Sequence, residues 1–373
     1  MTATFLLILA AVLLLAFANG ANDNAKGVAT LIGSGSLPLR HAVALAAVTT
    51  LLGSVAAVFL ADVLLQRFNG KGIVDEAVIA APAFAACVGI GAALTVLLAT
   101  LVGMPISTTH ALVGALVGVG LGGGGLNWSA VFAAFFLPLL LSPLIALLLA
   151  ALVYALFRFV RLRLGVDHQT CLCVDRQRVP VSVNADGAMA VAATGLALRK
   201  DQEQACRQAY AGHVVGLNAQ RVLDAAHLTT AAALSFARGL NDTPKIAALM
   251  LLAGAGGAQS SLTVVGLAIA AGGVLAVRRV AHTVSHRITG MNDGQGFSAN
   301  LVAATLVTLA TLKFGVPVST THTSCGALFG IGLVNRRAHW RVIGQIVLAW
   351  AGTLPVAALL GLLAWRALNG VGQ

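Results

Sequence analysis

Long apolar runs broken by short polar stretches pattern this chain from end to end. Runs near 2–18, 39–61, 80–102, 127–157, 222–237, 261–277, 297–312 and 342–365 approach the roughly 20 residues that carry a helix across a bilayer core. They are continuous and apolar on all sides, unlike the alternating strands of a membrane barrel, so helices are predicted. Shorter Gly- and Ala-rich runs occupy 27–36, 111–121, 246–257 and 323–334. The pattern predicts an all-α polytopic membrane protein with about five crossings in each half, the short runs forming broken or re-entrant helices.

Composition agrees: the chain is 58% hydrophobic and 9% charged, against roughly 25% charged in soluble domains. The first run ends in Ala16-Phe17-Ala18, which resembles a signal-peptide cleavage site. It lacks a basic stretch before it, and the same helix followed by Asn-Asp recurs at 222–242, so a mature span is expected. Between the halves, 158–221 is polar, with Val179, Val181 and Val183 alternating ahead of a charged stretch from Arg199 to Arg207. The expected domains are a membrane repeat at 1–157, a cytoplasmic insertion at 158–221 holding a strand or two and a helix, and a second membrane repeat at 222–373.

Two strings reveal the duplication. Asn22-Asp23 with Lys26 returns as Asn241-Asp242 with Lys245, and Pro105-Ile106-Ser107-Thr108-Thr109-His110 returns as Pro317-Val318-Ser319-Thr320-Thr321-His322. Their order is the same in both halves and their offsets nearly agree. An odd number of crossings per half makes the repeats inverted. The formal charge of +11 would suggest nucleic acid in a soluble protein, but here it speaks of orientation. Basic residues crowd into 158–221 and recur at Arg40, Arg278, Arg279, Arg287, Arg336, Arg337 and Arg341. Loops on the other side hold Arg67, Lys71, Lys313 and Arg366. The positive-inside bias then puts both termini outside and the insertion in the cytoplasm, and the compact loops suggest a prokaryotic inner membrane.

Lys26, Arg238, Lys245, Asp23 and Asp242 are the charges set deepest between apolar runs, where charge is expensive and points to function. Proline followed by Ser and Thr is a helix-start signal, and a start inside the membrane presents hydroxyls, free N–H groups and a positive dipole end to an anion. One copy would be read as a capped kink. Two equivalent copies beside two acidic motifs favour substrate contact by Ser107, Thr108, Thr109, Ser319, Thr320 and Thr321. Gly20 and Gly239 precede the Asn-Asp pairs and are expected to permit a break in each helix. The amides and carboxylates of Asn22, Asp23, Asn241 and Asp242 then suit a hard cation, or the proton of a protonated oxyanion. His110 and His322 read as structural hydrogen-bonders ahead of a proton relay. Arg238 reads either as an extra anion contact or as a snorkelling side chain. Cys87 and Cys325 are expected as core thiols, and Cys171, Cys173 and Cys206 as loop thiols. His168 with Cys171 and Cys173 matches no zinc spacing well.

The paired Gly-x-Asn-Asp and Pro-x-Ser-Thr-Thr-His strings resemble the PiT inorganic phosphate transporters across both membrane halves, but not across 158–221. The resemblance implies an inverted-repeat, usually dimeric phosphate symporter driven by Na⁺ or H⁺; no cofactor and no metal site are read from the residues. It puts Asp23, Asp242 and the six hydroxyls around phosphate, and Asn22 and Asn241 near phosphate or the coupling ion. One departure stands out: the family commonly has asparagine where this chain has Lys26 and Lys245. Each lysine either neutralises the aspartate three positions before it, on the same helix face, or stands where a bound Na⁺ would, which implies weak sodium dependence. A sulfate permease of the same fold and a membrane enzyme acting on a phosphorylated lipid are the competing readings. The duplicated, symmetric placement of each candidate residue speaks against the enzyme.

Overall fold

A computed structural model describes residues 3–60, 62–183, 189–202, 204, 216–252, 254 and 257–369. Among these, five long helices precede the central segment: α1 (Ala3–Asp23), α2 (Leu39–Leu60), α3 (Phe84–Leu101), α4 (Thr108–Gly123) and α5 (Leu137–Arg163). Strands β1 (Thr170–Val183), β2 (Met189–Gln202) and β3 (Gly216–Asn218) follow. Five more helices complete the chain: α6 (Ala219–Leu252), α7 (Ala258–Leu275), α8 (Asp293–Leu312), α9 (Thr320–Asn335) and α10 (Trp340–Asn369). Seven helical spans among the described residues are long and apolar enough to cross a membrane. Their outward faces carry large apolar side chains such as Phe59, Leu98, Leu140 and Leu348, as lipid contact requires.

Helices α4 and α9 are 16 residues each, about 24 Å at 1.5 Å per residue. That is shorter than the roughly 30 Å hydrocarbon core, and both begin at the Ser-Thr-Thr-His strings. α1 packs against α3 and α7, α10 against α4 and α3, α7 against α2, and α8 against α9. Small residues allow these crossings. A Cβ on Gly118 of α4 would come 1.9 Å from the Ala358 carbonyl oxygen of α10, and one on Gly330 of α9 would come 2.2 Å from that of Leu147 on α5. With lipid no less apolar than the side chains, such close backbone packing is a main source of helix association.

The chain divides into two compact units, Met1–Tyr154 with His227–Gln373, and Ala155–Ala226. In the second unit β1 pairs antiparallel with β2 on one side and β3 on the other. Cys171 and Cys173 stand on β1, not in a loop as expected, because the alternating stretch extends back to Thr170 and pairs Cys171 with Asp201 and Cys173 with Arg199. The start of the charged stretch, Arg199–Gln202, is the end of β2; its remainder, apart from residue 204, lies outside the described residues.

Candidate functional site

The two helix starts are near copies. Ser107 (φ −95°, ψ 117°) and Ser319 (φ −91°, ψ 116°) are extended N-caps, and their Oγ atoms accept from His110 N and His322 N, each at 3.1 Å. The serines therefore serve as caps. The threonine hydroxyls turn to the aspartates: Thr108 Oγ1 donates to Asp23 Oδ2 and Thr320 Oγ1 to Asp242 Oδ2, both at 3.3 Å.

Asp23 ends α1, and the next residues form a single 3₁₀ turn, Asn24–Gly27. The expected break is present here. In the second half it is absent: α6 runs unbroken from Ala219 to Leu252, with Pro244 inside it. The glycines before both motifs serve a different purpose. A Cβ on Gly20 would lie 1.9 Å from Ile269 O, and one on Gly239 2.0 Å from Thr50 O, so each lets a neighbouring backbone approach the acidic motif.

Lys26 is buried and ion-paired with Asp23 three positions before it. Its Nζ also donates to Asn22 Oδ1 at 2.8 Å, to Ile106 O at 2.8 Å and, across the halves, to Thr321 Oγ1 at 2.6 Å. Lys245 repeats the plan, reaching Val318 O at 2.8 Å, Thr109 Oγ1 of the first half at 2.9 Å and Asp242 Oδ1 at 3.4 Å. Each ammonium thus sits among carbonyl, hydroxyl and carboxylate oxygens. Removing such a charge from water is tolerable only with partners of this kind.

The asparagines anchor the motifs to the helices that precede each start. Asn22 Nδ2 donates to Thr100 Oγ1 at 2.9 Å and Met104 O at 3.0 Å, while Asn241 Oδ1 accepts from Thr311 Oγ1 at 3.1 Å. Asn19 joins the two acidic motifs: its Nδ2 lies 3.0 Å from Asp23 Oδ2, 3.0 Å from Thr108 Oγ1 and 3.5 Å from Asp242 Oδ2. Arg238 is 1% exposed, which rules out snorkelling; its Nη2 donates to Asn24 Oδ1 at 3.0 Å and Thr50 Oγ1 at 2.7 Å. The rings of His110 and His322 meet with centroids 4.4 Å apart, and His322 lies 4.0 Å from Trp350. Trp350 Nε1 donates to Pro105 O at 3.0 Å, and His322 Nδ1 lies 3.1 Å from Leu139 O. These bonds hold the helix starts in place.

Every residue read as a candidate substrate or coupling-ion contact lies here: Asn22, Asp23, Lys26, Ser107, Thr108 and Thr109 with Arg238, Asn241, Asp242, Lys245, Ser319, Thr320 and Thr321. All are buried, so the site is occluded. Asn19, Asn24, Thr50, Thr100, Thr311 and Trp350 were not predicted from the sequence as site residues. Thr100 and Thr311 carried a signal, since each lies just ahead of the repeated proline.

Apolar membrane helices around an occluded centre, where two carboxylates, three cationic side chains and two helix N-termini meet, define a membrane transporter for a small anion. The chain belongs to the phosphate transporter family, which it matches over residues 19–361; it is an integral membrane transporter and not an enzyme. A protein of Pyrococcus abyssi that carries the name of a phosphate permease is 28% identical, with 96% of each chain covered. One of Mycobacterium bovis, named for low-affinity inorganic phosphate transport, is also 28% identical, over 99% of this chain and 79% of that one. A solved structure described as the sodium-dependent phosphate transporter shares the fold, with a TM-score of 0.75 and 21% identity over 99% of this chain and 100% of that one.

Proposed function

We propose that the chain moves inorganic phosphate across the membrane as a secondary transporter, by alternating access, with the proton and not sodium as its coupling ion. The observation that carries this reading is the convergence of the helix starts at Ser107 and Ser319 on an Asp23–Asp242 centre whose lysines are already in place. Helix N-termini and threonine hydroxyls suit a tetrahedral oxyanion. Lys26 Nζ and Lys245 Nζ stand among the hard oxygens that a sodium ion would need. With Arg238, the cations outnumber the two carboxylates and leave positive charge to attract an anion without added sodium.

The duplicated motifs support rocking of one half against the other around this centre. The distribution of arginines supports outside termini and a cytoplasmic 158–221 segment in a prokaryotic inner membrane. The test is uptake of labelled phosphate by the purified chain in proteoliposomes. Uptake in sodium-free buffer, stimulated by acidification outside, is expected. Uptake only with sodium would overturn the coupling; uptake of sulfate in place of phosphate would change the cargo.

A further inference from the structure

We infer that Asn19 recognises the proton on the bound oxyanion, so that it separates protonated tetrahedral anions such as phosphate from sulfate. The inference rests on phosphate being the cargo. Asn19 is fully buried in α1. Its amide nitrogen faces Asp23 Oδ2 and, at longer range, Asp242 Oδ2. Ionised carboxylates only accept, which fixes the amide with its NH₂ toward them and Oδ1 turned away. That Oδ1 is buried and has no hydrogen-bond partner among the described residues.

The carboxylate oxygens at the centre already have donors, although the buried ring nitrogens His110 Nδ1 and His322 Nε2, like Asn19 Oδ1, have no partner among the described residues. Asp23 Oδ1 accepts from Lys26, and its Oδ2 from Asn19 and Thr108. Asp242 Oδ1 accepts from Asn241 and Lys245, and its Oδ2 from Thr320. Donors are in surplus. Nε and Nη1 of Arg238 are buried and unpartnered among the described residues, and the N-termini of α4 and α9 add free N–H groups. Arg238 occupies in the second half the place of Asn19 in the first, three residues before the Asn-Asp pair. The repeat therefore carries a spare acceptor at one pole and spare charged donors at the other.

The complementary ligand is a tetrahedral anion with several accepting oxygens and one O–H. Phosphate and arsenate carry at least one such hydroxyl at neutral pH, while sulfate and selenate carry none. A site built to bond a substrate hydroxyl rejects the analogue that lacks it, because its acceptor is then buried unpaired.

The experiment is labelled-phosphate uptake by the full chain in proteoliposomes, with unlabelled arsenate, sulfate and selenate as competitors. In the wild type arsenate should compete about as well as phosphate, and sulfate and selenate at least about tenfold less well. Asn19→Ala should weaken phosphate and arsenate while leaving sulfate competition unchanged, so the preference collapses; Asn19→Ser, which keeps an accepting oxygen, should retain part of it. Sulfate competing as well as arsenate in the wild type would overturn the inference, even if neither variant folds. So would an unchanged preference in Asn19→Ala, the result expected if Asn19 only holds Asp23 and Thr108. Absence of phosphate uptake by the wild type would instead remove the phosphate reading itself.

Discussion

Lys26 Nζ lies 2.6 Å from Thr321 Oγ1, so the acidic motif of the first half is bonded to the helix start of the second. Lys245 returns the bond to Thr109 at 2.9 Å. These crossed bonds tie both halves to the closed centre, and any motion that opens it must exchange them for other partners.

If the ammoniums replace a coupling cation, asparagine at both positions should make the site responsive to sodium. Lys26→Asn with Lys245→Asn is expected to show phosphate uptake at least about tenfold faster in sodium than in choline buffer, an effect of about 1.4 kcal/mol. The wild type should show no difference. Equal uptake of the double variant in both buffers would refute the replacement.

Lys26→Met removes the charge but keeps the length, leaving Asp23 buried without its partner. Breaking a buried pair this way is expected to lower stability by about 3–5 kcal/mol, read as a fall in the melting temperature in detergent. Adding Asp23→Asn should recover most of the loss, because no unpaired charge then remains. A double variant as unstable as the sum of the single ones would show that the pair is not coupled.

Ser107→Ala and Ser319→Ala each remove an N-cap and should each cost about 1 kcal/mol. The bonds lost are those to His110 N and His322 N. Thermal unfolding should show the threonine variants much closer to wild type than the alanines, since a Thr hydroxyl accepts the same bond. Alanine and threonine variants melting together would show that the caps do not hold these helix starts.

Gly118→Val puts a side chain where a Cβ would already meet Ala358 O at 1.9 Å, and a backbone carbonyl in a packed helix cannot move aside. Size-exclusion chromatography in detergent should show loss of monodisperse protein. Gly344→Ala, whose Cβ would meet nothing within 4 Å, should elute as wild type does. Normal behaviour of Gly118→Val would mean that α4 and α10 need no such approach.

Much was legible before folding because the relevant physics is local. Apolar length predicts the spans, a proline followed by serine and threonine predicts the starts of α4 and α9, and a three-residue spacing puts Lys26 beside Asp23 and Lys245 beside Asp242. The duplication allowed each motif to vouch for the other. Gly239 shows where local reasoning misled: read as permitting a helix break, it is a contact point for Thr50 and α6 passes it without interruption, whereas the break expected after Gly20 does follow Asp23.

The sequence by itself determined that this is a helical membrane protein, that its unit is duplicated, and which side chains carry charge into the bilayer. Only the tertiary structure decided that Asn19 bridges Asp23 and Asp242, that Arg238 is buried against Asn24 and Thr50, and that each lysine crosses to the opposite half. Helix formation depends on neighbours within a few positions along the chain. A buried polar group needs a partner wherever the fold provides one, and here those partners come from the other repeat.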